Sequence, residues 1–126
     1  MLWLAKGAGL LLALAIIAIG TSYIASPMTT MRSFGLPLPE EGPNVAWWLR
    51  LKGVRDIVAG LLVLAFMVWG AQREVGIALL IEAMIPAGDM LLALAAKGST
   101  RSAFGIHGLT AVIMVLVAIP MMIGAD

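Results

Sequence analysis

The chain has 126 residues, 62% of them hydrophobic and 12% charged, with a formal net charge of +1. A soluble domain of this length would carry about twice that charge, so the composition points to an integral membrane protein, and the near-neutral balance gives nucleic acid no footing. The chain has no cysteine, which excludes disulfides, thiolate metal sites and thiol chemistry.

The first apolar segment, 2–24, is broken only by Lys6. One early cation, an apolar run over 10–19 and small residues near Gly20 also fit a secretory signal. With the segment retained in the chain, the expectation is a first membrane helix. Its N-terminal side is called end A. The other side, made polar by Thr21, Ser22 and Tyr23, is end B.

Residues 25–44 hold Pro27, Pro37, Pro39 and Pro43 with Gly35 and Gly42, which forbid a long helix. Met28, Met31, Phe34, Leu36 and Leu38 make the stretch more apolar than an ordinary loop. The expectation is an ordered interfacial loop, either lying on the headgroups or serving as a lid at end B.

A second span is expected over 45–70, returning to end A. Trp47, Trp48 and Trp69 sit where aromatic belts form. Lys52, Arg55 and Asp56 fall in its first half. Ionisable groups at that depth cost roughly 3 kcal/mol each, so they pair, snorkel or face a polar recess. Lys52 and Asp56, four apart, share a face, while Arg55 is turned about 100° from Asp56.

The third span, over 75–96, carries Glu82 and Asp89 on one face with Pro86 between them. Pro86 removes the helical donor of the Glu82 carbonyl, so a kink is expected. The fourth span, over 103–123, carries His107 about one turn in from end B, with Thr110 and Ala111 on the same side. Measured along the helices from end B, His107 lies roughly 6 Å in, Asp89 roughly 10 Å, Arg55 and Asp56 roughly 15 Å and Glu82 roughly 20 Å. Polar groups from every span therefore crowd one half of an all-α, single-domain, four-helix antiparallel bundle. The half toward end A is almost wholly apolar. The cations Arg32, Arg50, Lys97 and Arg101 at end B outnumber Lys6 and Arg73 at end A, which favours a cytoplasmic end B. The expected location is a bacterial inner membrane.

The elements Ser33-Phe34-Gly35-Leu36-Pro37, Trp48 to Ile57 with Gly60, Glu82 to Asp89 and His107-Gly108 resemble the small four-helix membrane proteins grouped as domain of unknown function 4267. Those are similar in layout to the wider DoxX-like proteins. The resemblance covers nearly the whole chain and implies a four-helix fold and no known activity.

Three functions remain open at this stage. In the first, a polar half-cavity binds a small lipophilic molecule. Asp89, Glu82 and His107 then act as acid or base, Arg55 stabilises negative charge, and Asp56, Lys52, Tyr23 and Trp48 bind the ligand, as in an isomerase or cyclase. In the second, the chain is a subunit of a small homo-oligomeric transporter, with Glu82 as coupling carboxylate. In the third, it is a scaffold whose Lys52, Arg55, Asp56 and Asp89 form a structural interhelical ion network. One histidine without cysteine supports neither a metal nor a haem site, so no cofactor is expected. The partners expected are the bilayer itself and, under the first reading, the lipophilic ligand.

Overall fold

The computed structural model describes residues 1–124, and all regular structure among them is helical. The helices are α1 (Leu2–Ala25), α2 (Pro27–Thr30), α3 (Val45–Trp69), α4 (Gln72–Glu82), α5 (Met84–Ala95), α6 (Thr100–Ser102) and α7 (Leu109–Ile123). A 3-10 turn over Met31–Ser33 follows α2, and wide π-helical turns over Ala103–Gly108 join α6 to α7. Three helical stretches are long and apolar enough to cross a membrane: Leu2–Ala25, Gln72–Ala95 and Thr100–Ile123. Helix α3 is as long, at 25 residues, but carries Arg50, Lys52, Arg55 and Asp56 in its first half.

Local chemistry sets the element boundaries. Helix α1 closes with the Ser26 N–H on the Ser22 carbonyl at 2.8 Å, and Pro27, with no N–H to lose, opens α2. Helix α4 starts at Gln72, ahead of the expected residue 75, because the Glu74 carboxylate accepts the Ala71 N–H at 2.9 Å and satisfies an end donor. The expected kink divides α4 from α5 at Ala83. Pro86 cannot donate to the Glu82 carbonyl, while the bonds on either side survive, from Ala83 to Leu79 at 2.9 Å and from Ala87 to Ala83 at 3.2 Å.

Two helix pairs make the frame. In the first, α1 and α3 approach until their backbones nearly touch. A Cβ at Gly53 would lie 2.5 Å from the Gly20 carbonyl oxygen, and one at Gly60 would lie 2.6 Å from that of Ala13. In the second, Gly76 of α4 meets the Ala118 carbonyl of α7, where a Cβ would stand 2.9 Å away. Small residues of this kind let membrane helices associate through van der Waals contact, since lipid supplies no hydrophobic drive between them.

The pairs are knit together toward end A, where α1 packs on α7 and α3 on α4. Ala5, Val63, Val75, Leu79, Val117 and Met121 fill that half. Toward end B the pairs part: α5 packs on the π-helical turns, but neither α1 nor α3 packs substantially on them or on α5. The segment from α2 to Gly35 lies across this gap. Thr30 Oγ1 donates to the Ser22 carbonyl at 3.0 Å, rooting the segment on the first pair. The Ser99 N–H donates to the Gly35 carbonyl at 2.7 Å, tying it to the second. Gly35 holds φ at +105°, a conformation glycine adopts without steric cost.

If the α1–α3 contact holds the frame, Gly60→Val will force backbone and side chain apart and lower stability by on the order of 1–3 kcal/mol. Gly7 has open space around its α-carbon, so Gly7→Ala will cause no such loss. Melting temperatures of both variants in detergent check the contrast.

Candidate functional site

The gap between the pairs is a cavity of about 600 Å³. Its floor is apolar, with Ala13, Val63, Leu79 and Met114, and its ionisable lining is Lys52, Asp56, Glu82, Asp89 and His107. The Tyr23 ring also lines it. That residue is 3% exposed. Among the described residues its hydroxyl has no hydrogen-bond partner, and no fully enclosed side-chain polar atom is unpartnered, so the hydroxyl opens into the cavity.

The polar groups divide between two walls. On the α1–α3 wall, Lys52 Nζ donates to Asp56 Oδ2 at 2.6 Å, one helical turn away. The same ammonium stands over the Tyr23 ring at 4.6 Å and the Phe34 ring at 5.3 Å. Rings and carboxylate together compensate the lysine charge as it leaves water.

On the α5–α7 wall, His107 Nε2 lies 2.6 Å from the Phe34 carbonyl oxygen. A carbonyl only accepts, so Nε2 carries the hydrogen and Nδ1 is the free nitrogen. Nδ1 faces Asp89 Oδ2 at 3.9 Å, too far for a direct hydrogen bond and near enough for both to reach one intervening group. The Phe34 ring packs against the imidazole at a tilt of 52°, with centroids 4.4 Å apart. The π-helical turns carry His107. Such turns insert an extra residue and re-aim the side chains that follow, and they are frequent at functional sites. Thr110 Oγ1, next along the same wall, is engaged by the Ile106 carbonyl at 2.6 Å.

Glu82 lies deeper, beside Pro86 at the α4–α5 break. Among the described residues its carboxyl meets no cation and no hydrogen-bond donor; the only ion pairs within 4 Å are Lys52–Asp56 and the His107–Asp89 approach. Glu82 and Asp89 are separated by roughly 10 Å along the helix axis, so a molecule touching both must be at least that long.

Six of the eight residues expected at the site therefore share one cavity: Tyr23, Lys52, Asp56, Glu82, Asp89 and His107. Arg55 and Trp48 do not line it. Arg55 is exposed on the outer face of α3, and Trp48 is 71% exposed on the α3 surface. Arg55 cannot stabilise charge developing in the cavity from there. The geometry also differs from the interhelical network expected of a scaffold, because the Lys52–Asp56 pair lies within one helix and Asp89 faces His107 instead of α3. Sequence reasoning missed the Phe34 carbonyl as the partner of His107. No side-chain pattern marks a backbone acceptor; the available signal was an apolar residue before glycine in a loop too apolar to be idle. Among the described residues no three His, Asp or Glu side chains gather as metal ligands.

The family model described as Domain of unknown function (DUF4267) matches residues 13–121, a range that includes the whole cavity lining except Leu12. Neither a curated protein nor a solved structure matches the chain.

The loop is latched through His107, so His107→Ala will loosen it. A neutral hydrogen bond contributes about 1 kcal/mol, and tenfold corresponds to about 1.4 kcal/mol, so the Ser99 amide, which is bonded to Gly35, will exchange its hydrogen roughly five- to tenfold faster. Hydrogen exchange resolved at Ser99 checks this. An unchanged rate would mean that the His107–Phe34 bond does not hold the loop down.

Proposed function

We propose a function for a chain that belongs to the Domain of unknown function (DUF4267) family: it is a four-span membrane protein whose half-cavity binds a small lipophilic molecule and moves a proton on it. In this reading α3 is the fourth span and the segment 25–44 is the lid. The observation that carries the reading is the cavity itself. About 600 Å³ is an ordinary volume for a small-molecule site, and a mostly apolar lining with a few converging polar groups is the usual character of one.

The chemistry follows from which atoms are free. His107 Nδ1 has a lone pair facing the cavity and an oriented ring behind it, the requirements for a general base. A carboxylic acid at Glu82 or Asp89 is the matching donor. In a double-bond shift, Nδ1 takes a proton from one carbon of the ligand and a carboxyl gives one to another carbon, with no change of oxidation state. The Tyr23 hydroxyl can bond an oxygen on the ligand. Isomerisation or cyclisation of an apolar molecule is the reaction class that uses these groups.

Transport fits less well, because among the described residues no polar path continues past Glu82. The cavity floor and the packed end-A half, with Leu79, Val63, Val117 and Met121, give an ion or polar solute nothing to move along.

The test is the series Asp56→Asn, Glu82→Gln, Asp89→Asn and His107→Ala, with Arg55→Gln as an outward-facing control. Each variant is purified in detergent, and its yield is compared with the co-purified hydrophobic compounds measured by mass spectrometry. The expected result is normal yield with at least a tenfold loss of bound compound for Glu82→Gln and Asp89→Asn, and full retention for Arg55→Gln. Collapse of yield across the cavity variants, with no compound bound to the parent protein, would favour a purely structural role.

A further inference from the structure

Two features of the cavity remain unused by the proton-transfer reading. The first is its mouth. Ile19, Ile85 and Ile106 line the cavity and yet are 46%, 48% and 46% exposed. A residue that both lines a cavity and is exposed stands at its rim. These three lie on α1 and, across the gap at end B, on α5 and the π-helical turns, and the lid covers the end of the gap and leaves its flank. The rim is aliphatic and lies within stretches long and apolar enough to be in a membrane, so it opens toward acyl chains. A ligand entering there has to be lipid-soluble and uncharged as it passes.

The second is the charge balance inside. Lys52 is already neutralised by Asp56 at 2.6 Å. Two carboxyl groups remain, at Glu82 and Asp89, and the other ionisable lining groups are His107 and the Tyr23 hydroxyl. The His107 Nε2–H is committed to the Phe34 carbonyl. Among the described residues the only basic group within 4 Å of either remaining carboxyl is the His107 imidazole, 3.9 Å from Asp89, and isolated ionised carboxylates in an apolar site are costly.

From these two features, and resting on the reading of the cavity as a ligand site, we infer that the preferred ligand is a lipophilic amine or a species that becomes cationic on binding. The amine enters neutral through the rim. Inside, the Glu82 or Asp89 carboxylic acid transfers its proton to the amine nitrogen, leaving an ammonium beside a carboxylate, with atoms and charge conserved. Protonation of an alkene at the same place creates a carbocation of the same charge, so the arrangement that holds an ammonium also stabilises the intermediate of an acid-catalysed double-bond shift. The rim explains how the ligand arrives, and the unmatched carboxyls explain why its charge appears only after arrival.

The test uses the full chain in phosphatidylcholine nanodiscs and three probes of one chain length: N,N-dimethyldodecylamine, 1-dodecanol and dodecanoate. The expected result is saturable binding of the amine at least tenfold tighter than the alcohol, with dodecanoate weakest. Glu82→Gln combined with Asp89→Asn should abolish the preference for the amine over the alcohol, and a yield and melting temperature in detergent equal to the parent's report that the variant is folded. Equal affinity for amine and alcohol, or an amine preference that survives the double substitution, overturns this inference and leaves the cavity reading standing. Absence of saturable binding by any probe overturns both.

Discussion

Backbone-to-backbone approach through glycine is the constraint on which the rest of this molecule depends. Helices in lipid gain nothing from excluding water from each other, so they adhere only where their surfaces fit. Gly20, Gly53 and Gly60 give α1 and α3 that fit along much of their length, and Gly76 gives it to α4 and α7. Each pair is tight, and the pairs pack on each other chiefly toward end A. The space at end B follows from this arrangement: two rigid pairs joined at one end part at the other. The cavity is thus a product of where the small residues are, and its walls are fixed by contacts on their far sides.

A parted bundle exposes groups that must be satisfied, and end B satisfies them with side chains that also face the cavity. Carbonyls in the irregular segment after α2 would be expensive without donors. The Phe34 carbonyl takes the His107 Nε2–H and the Gly35 carbonyl takes the Ser99 N–H. The first bond fixes the tautomer that leaves Nδ1 free, so one contact both pins the segment after α2 and orients the imidazole that faces the cavity. Pro86 has a comparable double effect. It orphans the Glu82 carbonyl and breaks the helix at the level where the Glu82 side chain enters the cavity.

Much of this was legible in the sequence because periodicity and depth are countable. The spacing of Lys52 from Asp56 and of Glu82 from Asp89 places them by face, and Pro86 announces the break. The position of Arg55 was also there to be read: a residue adjacent to Asp56 is turned about 100° away from it on a helix, and the face that buries Asp56 leaves Arg55 outside. Weight given to its charge obscured its direction. Trp48 misled for a similar reason, since an aromatic at the membrane boundary serves the interface before it serves a pocket. Two features could not be read. The π-helical turns shift the face presented after Ala103, so Thr110 lines the cavity while Ala111 does not. The Phe34 contact uses a main-chain oxygen, which every residue has.

Helix α3 shows how an apolar environment and a charged sequence are reconciled. All four of its charged residues precede Ile57, and none follows it. Arg50 Nε reaches the Ile24 carbonyl at 3.2 Å and its guanidinium lies 4.9 Å from the Trp47 ring, a placement suited to the interface near end B. Lys52 and Asp56 cancel each other on the cavity face. Only Arg55 is left facing outward, with a long side chain of the kind that can extend along an apolar surface toward a polar boundary. Average hydropathy treats these four residues as one burden on the helix. Resolved by face and depth, they comprise one interfacial charge, one internally neutral pair and one outward arginine, which is a load that a proposed fourth span can carry. The same resolution makes α3 the wall that presents a compensated lysine to the cavity, so the helix whose composition fits a membrane least well is the one that needs its charges where they are.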